Sequence, residues 1–253
     1  MKRVILTSSS GVGLTFADRA DMVVPLIFRF VSGPLPTSHH LEQYLTGGSF
    51  RGSFLGEREV RWSDLVARSP QSGLAHKVWF CKAYGVEEIE LWFDPSPSNQ
   101  LQLIWILDYL RSESYAAERT RLRIVDFDLL GAHSARLRDH TIRQLDVTEF
   151  DFEAARIAWE AYRSSTPELC FGLLGQDFPA LPFLKPATEE LLAELPSPIT
   201  GLGATEARLL GLIANGHNRT KELFEPDGLL ETRVFDQWSW ARCSKGSRPA
   251  RCR

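Results

Sequence analysis

The residues best suited to chemistry lie where apolar runs give way to short polar ones. The β-branched run Arg3–Leu6 ends at Thr7, and Ser8-Ser9-Ser10-Gly11-Val12-Gly13 follows it. A strand ending in small residues can present backbone N–H groups to a phosphate. The segment lacks the Gly-Lys-Ser/Thr of a P-loop and the third glycine of a dinucleotide fingerprint, so a plain strand-to-helix turn stays open as the other reading. Asp94-Pro95-Ser96-Pro97-Ser98-Asn99-Gln100, after Glu88–Phe93, is the richer set. Asp94 can accept a proton or a hydroxyl hydrogen bond, and the amides of Ser98 and Asn99 at a helix start can meet an anion. The bland alternative is that Ser96, Asn99 and Gln100 cap the helix while Asp94 favours its dipole. Arg29 interrupts the apolar stretch Met22–Val31. It either snorkels to water or pairs with a carboxylate, and Asp94 is the partner of interest.

No other catalytic pattern is spelled out. His39 and His40 are adjacent with only Glu42 near them, and His133 and His140 flank Arg136 and Arg138 without an HExxH spacing. There is no Gly-x-Ser-x-Gly elbow. Cys81, Cys170, Cys243 and Cys252 lie far apart with no CxxC pair, which reads as reduced cytosolic thiols and neither a metal site nor a disulfide framework. No metal is expected, and no cofactor is specified.

These polar runs need elements to hold them. Arg3–Leu6, Met22–Val31, Glu88–Phe93 and Leu122–Phe127 read as strands, the second tolerating Pro25 near its entry. Ser96-Pro97 is a cap followed by a first-turn proline, and the helix it opens carries Leu101, Ile104, Trp105 and Leu107 to Leu110. The pairs Trp79-Phe80 and Trp92-Phe93 are most simply core. Strands alternating with helical stretches predict an α/β fold with a layered, largely parallel sheet over residues 1–148. In such sheets ligands sit outside the carboxyl ends of the strands. That rule gathers Ser8, Ser10, Gly33, Asp94, Ser96 and Gln100 at one rim.

From 149 to 240 the pattern turns helical. Phe152–Arg163 is amphipathic, with Phe152, Ala155, Ile157, Trp159 and Tyr162 toward a core; Ser165–Phe183 reads as a loop and Pro186–Leu195 as a helix. A helix opened by Gly203-Ala204-Thr205-Glu206 and closed by Gly216 precedes Thr220–Phe224 and Leu230–Trp240. Together these give an all-helical, winged-helix-like outline. Residues 241–253 read as a disordered basic tail, with a functional basic arm and an out-of-frame ending as alternatives.

Composition narrows the partners. The 253 residues are 43% hydrophobic and 24% charged, ordinary for a soluble globular protein. The longest apolar stretch, Met22–Phe28, is broken by Pro25, against about 20 residues for a membrane span. The start has too few apolar residues for a signal peptide, so a cytoplasmic protein without membrane contact is expected. The net charge of −3 includes +5 from Arg242, Lys245, Arg248, Arg251 and Arg253, leaving −8 elsewhere. Between Pro186 and Ser239 four basic residues face nine acidic ones, a net of −5, which argues against nucleic acid as partner despite the helix-turn-helix outline.

Several of these segments also resemble those of a known family. Gly33-Pro34-Leu35-Pro36 after an apolar strand, then Leu91-Trp92-Phe93 with Gln100-Leu101 opening a helix, resembles the first domain of the bacterial family "domain of unknown function eighteen thirty-five". Pro182-Phe183-Leu184, Leu192, Leu195-Pro196-Ser197, Gly201-Leu202 and Thr205-Glu206 are similar to the region that follows it there. The likeness runs through the chain as far as Asp236 and implies a bacterial two-part protein, in a family without an established activity. Where that family often has an Asn-Gly-Asp-Ser turn, this chain has Thr7-Ser8-Ser9-Ser10, so chemistry resting on that acid is not carried over.

Two function classes follow. One is a ligand-binding or enzymatic α/β domain taking a small polar or anionic molecule at the strand-end rim. The other is a regulatory or interaction protein that meets a protein partner through its helical region. Oligomeric state and reaction type are not specified.

Overall fold

β-Branched and aromatic residues build a sheet covered on both faces, so residues 4–8 of β1 and 89–93 of β5 are buried without a break. The structure, a computed structural model, describes residues 2–8, 11, 14, 20, 22–26, 28, 30–31, 35, 49–51, 59–61, 86–139, 141–217, 219, 223 and 234. Strands β1 (Lys2–Ser8), β2 (Met22–Leu26), β5 (Val86–Phe93) and β6 (Thr120–Ile124) run parallel in the order β2-β1-β5-β6, and β7 (Gln144–Asp146) adds antiparallel to β6. A separate antiparallel pair joins β3 (Ser49–Arg51) to β4 (Glu59–Arg61). Ile5 stands opposite Glu90, Leu6 opposite Leu91, and Trp92 opposite Arg123. Pro25 lies in β2, which among the described residues pairs only with β1, so its missing donor breaks no second ladder there.

The two faces of the sheet differ. Val4, Leu6, Ile89, Leu91, Phe93 and Leu122 turn toward helix α1 (Pro97–Arg111) and, beyond it, the helix Glu149–Arg163. Ile5, Val23 and Trp92 turn the other way, against Leu14, Val125, Leu129 and Leu137. Helix α1 is apolar nearly all round, with Leu101, Leu103, Ile104, Trp105, Ile106, Leu107 and Leu110 buried, as a helix sandwiched between a sheet and other helices must be. Short helices α2 (Ser114–Ala117) and α3 (Ser134–Leu137) fill the connections around β6.

Helix α4 (Glu149–Arg163) starts where the Asp151 carboxylate accepts from both the amide and the hydroxyl of Thr148, each at 2.8 Å. Phe152, Ala155, Ala158, Trp159 and Ala161 are buried along one stripe, in the same apolar cluster as the strands and α1. Phe28, Phe30, Trp105 and Trp159 form its aromatic centre: Phe28 meets Trp105 edge-on at 4.7 Å and Phe30 meets Trp159 at 5.0 Å. The Tyr162 hydroxyl donates to the Phe30 carbonyl.

The stretch expected as a loop between 165 and 183 contains helix α5 (Glu168–Leu173), which follows Pro167 and buries Leu173. Helix α6 (Leu184–Ala193) begins two residues before the expected start, and α7 (Ala204–Ala214) follows a turn in which Gly201 donates to Ser197. The Glu194 carboxylate ties the end of α6 to the start of α7 by accepting from the Thr205 amide and hydroxyl. Most of the expected helices Thr220–Phe224 and Leu230–Trp240 and all of 241–253 lie outside the described residues. Among the described residues no helix is long and apolar enough to cross a membrane.

Candidate functional site

Sheet order decides where a ligand can sit. Leu14 and Ala20, between β1 and β2, pack on the face that holds Ile5 and Trp92. Helix α1, between β5 and β6, covers the opposite face. β1 and β5 are neighbours and run parallel, so the chain leaves their carboxyl ends in opposite directions. That is a topological switch point, where open α/β sheets bind ligands. Thr7 and Ser8 end one strand and Asp94 follows the other.

The Asp94 end is closely tied to its own helix. Asp94 is 3% exposed, and its Oδ1 accepts from the Ser96 amide at 3.1 Å, the Ser96 hydroxyl at 2.7 Å and Asn99 Nδ2 at 2.7 Å. Gln100 Nε2 donates to the Asp94 carbonyl at 2.8 Å. The amides of Asn99 and Gln100 both reach the Ser96 carbonyl. Ser96 occupies the cap position with Pro97 behind it, but its hydroxyl turns back to Asp94 and caps no helical amide. Asp94 therefore orders the first turn of α1 through Oδ1.

The β1 end is the reverse. Thr7 and Ser8 are completely buried, and neither hydroxyl meets a hydrogen-bond partner among the described residues. Gly11 lies over Thr7 so closely that a Cβ on it would stand 1.8 Å from Thr7 Oγ1, so only glycine fits there. Gln102, 2% exposed in α1, gives its Nε2 to the Phe28 carbonyl at 2.8 Å and leaves Oε1 without a partner. Buried polar groups are seldom left open, and those that are call for a reason.

Of the residues singled out in the sequence, Ser8, Asp94, Ser96 and Gln100 stand at this end of the sheet, the last three joined by hydrogen bonds. Ser10, Arg29 and Gly33 lie outside the described residues, as do His39, His40 and His140; His133 is exposed. Thr7 and Gln102 were not singled out: one reads as an ordinary strand residue, the other as a polar break in an apolar helix. Among the described residues no group of three His, Cys, Asp or Glu side chains is placed to hold a metal ion. Cys170 is a free, half-buried thiol whose pKa burial pushes up.

A second buried polar group lies on the other face, mid-sheet. Glu90 is wholly buried and accepts from Trp92 Nε1 and Arg123 Nη2, both at 2.7 Å, with Arg3 Nε at 3.6 Å. Arg3 Nε also meets Glu88 at 2.7 Å, Gln144 donates to Glu88, and Arg123 donates to the Ile142 carbonyl. Burial opposes ionisation of Glu90. The hydrogen bonds from Arg123 and Trp92 and the charges of Arg123 and Arg3 outweigh it and hold the carboxyl below its usual range. Two acids and two guanidinium groups compensate one another here, an arrangement that fixes strand neighbours and leaves no net charge for a ligand.

No family model, no curated protein and no solved structure matches this chain.

Proposed function

We propose that the protein binds a small polar or anionic molecule at the carboxyl ends of β1 and β5. The observation that carries this reading is the buried, unpartnered hydroxyl of Ser8 at the switch point; Thr7 turns to the opposite face, under Gly11. Leaving such a group open costs about 1–3 kcal/mol, a cost that a bound molecule removes. Asp94, Asn99 and Gln100 act as positioning residues that hold the start of α1 against the site. Kinship with the family of domain of unknown function eighteen thirty-five, and a cytosolic bacterial setting, belong to the same reading.

A thermal-shift screen against nucleotides, sugar phosphates and common metabolites tests it. A ligand at about 100 times its dissociation constant adds about 2.7 kcal/mol, which raises Tm by about 5–11 °C at this size. The shift should shrink in Ser8→Ala. A silent panel, or a shift that Ser8→Ala leaves untouched, would count against the site. Asp94→Ala is the wrong control, because three donors lose their acceptor and the fold itself is weakened.

A second reading keeps the rim structural and gives the work to the helical region. It is favoured by Leu195, Ile199, Leu210 and Ile213, which are all exposed around α6 and α7, Ile199 to 91%. In this reading the region from α7 onward is winged-helix-like, with the left-handed Gly216 closing α7, and it meets a protein partner. A stoichiometric complex with a defined protein that Leu210→Asp abolishes is the outcome it requires.

A further inference from the structure

Ser8 and Gln102 each leave a buried polar group open. Alternation along β1 turns Ser8, like Val4 and Leu6, toward the face that α1 covers. Gln102 lies in the second turn of α1 and reaches Phe28, two residues beyond the end of β2. Since β1 lies between β2 and β5, this hydrogen bond ties the helix after β5 to the chain after β2 on the face toward which Ser8 turns. The Phe28 carbonyl can only accept, so it fixes the amide: nitrogen on Phe28, oxygen turned away. The open groups are therefore an acceptor, Gln102 Oε1, and a hydroxyl, Ser8 Oγ, both buried and both without a partner among the described residues.

We infer that the ligand of the switch point is a neutral, hydroxyl-bearing molecule of the class of sugars and nucleosides, with one hydroxyl donating to Gln102 Oε1 and accepting from Ser8. This rests on the ligand-binding reading above and narrows it. An anionic oxygen offers no hydrogen to an amide carbonyl and is repelled by it, whereas a hydroxyl serves both groups at once. The helix start supports the same choice. Pro97 has no N–H, and the amides of Asn99 and Gln100 are already taken by the Ser96 carbonyl, so the usual anion donors of a helix N-terminus are depleted. The Asp94 carboxylate beside them further disfavours a second negative charge.

Titration calorimetry on the full chain with glucose, ribose and adenosine as neutral probes, and inorganic phosphate and citrate as anionic ones, tests this. At least one neutral probe should bind, and Ser8→Ala and Gln102→Leu should each weaken it about tenfold. Should Gln102→Leu fail to fold, Ser8→Ala alone decides. Binding of phosphate or citrate with all neutral probes silent would overturn the inference and leave the ligand-binding reading standing. A neutral probe whose affinity Ser8→Ala does not change would overturn it too, placing the site elsewhere. Silence from all five probes and from the wider metabolite panel would remove both.

Discussion

The open hydroxyls at the end of β1 make an uncommon forecast: deleting them should strengthen the free protein. Thr7→Val is nearly isosteric and keeps the contact with Gly11, and Ser8→Ala removes one oxygen atom. Each variant releases a buried group that has no partner, so each should gain about 1–3 kcal/mol before small packing losses. At this chain length that is a rise in Tm of about 2–12 °C. Thr120 supplies the control. It is equally buried, lies in β6, and its hydroxyl donates to the Ala116 carbonyl at 2.8 Å. Thr120→Val is the same chemical change with a partner present, and it should lose about 1 kcal/mol. Urea unfolding of the three variants beside the parent chain reads the sign directly, provided the slope m stays constant and the shift lies in the midpoint. A loss of more than about 1 kcal/mol in both Thr7→Val and Ser8→Ala would mean the hydroxyls are satisfied and would refute the reasoning. A gain in stability together with loss of ligand binding is the trade expected of a site kept open for function.

Other outcomes follow from the same structure. Glu90→Gln leaves the buried Arg123 short of a charge and should cost about 3–5 kcal/mol, whereas replacing both residues with apolar ones of similar volume should recover much of it; unfolding curves of the single and double variants decide. Because the folded-state pKa of Glu90 is lowered, its contribution is present above the unfolded carboxylate range, about pH 4.3, and is lost as pH falls through the folded value. Acid unfolding of Glu90→Gln should accordingly be flatter as pH falls below about 5. Asp94→Ala strips the acceptor from the Ser96 amide, the Ser96 hydroxyl and Asn99, and should cost about 1–3 kcal/mol, with faster amide exchange over 96–100. Gly11→Ala drives a methyl group into Thr7 and should destabilise by about 1–3 kcal/mol, measurable in the same urea series.

How much of this could be read from the sequence varies by element. β1, β5 and β6 announce themselves as β-branched apolar runs, and Ser96-Pro97 marks the start of α1 within a residue. The helix expected over 152–163 is found from Glu149, because a period of 3.6 survives over four turns. Phe152, Ala155 and Trp159 of its expected stripe are buried, whereas Ile157 and Tyr162 are only half-buried and Ala158 and Ala161 complete the stripe. What fails is what depends on distant chain. β7 and the β3–β4 pair are three residues per strand, too short for any period to show, and α5 hides among prolines while Leu173 alone anchors it. The strand after Met22 breaks at Leu26, five residues before the apolar run ends, because Phe28 and Phe30 leave the ladder to pack against Trp105. At the candidate site, Asp94, Ser96 and Gln100 are legible as polar residues after a strand, but the β1–β5 pairing that makes their end of the sheet a switch point joins residues as distant in sequence as Ile5 and Glu90. Gln102 and Glu90 could have been flagged as polar residues inside apolar runs. Their partners, Phe28 and Arg123, are 74 and 33 residues away, beyond any local rule.

The central claim, a ligand held between the ends of β1 and β5, is tested most directly by amide hydrogen exchange with and without the strongest compound from the metabolite screen. The account predicts slowed exchange at residues 4–8 and 98–103, with 184–214 unchanged. Protection confined to 184–214, with the strand ends exchanging as before, would contradict it and assign binding to the helical region.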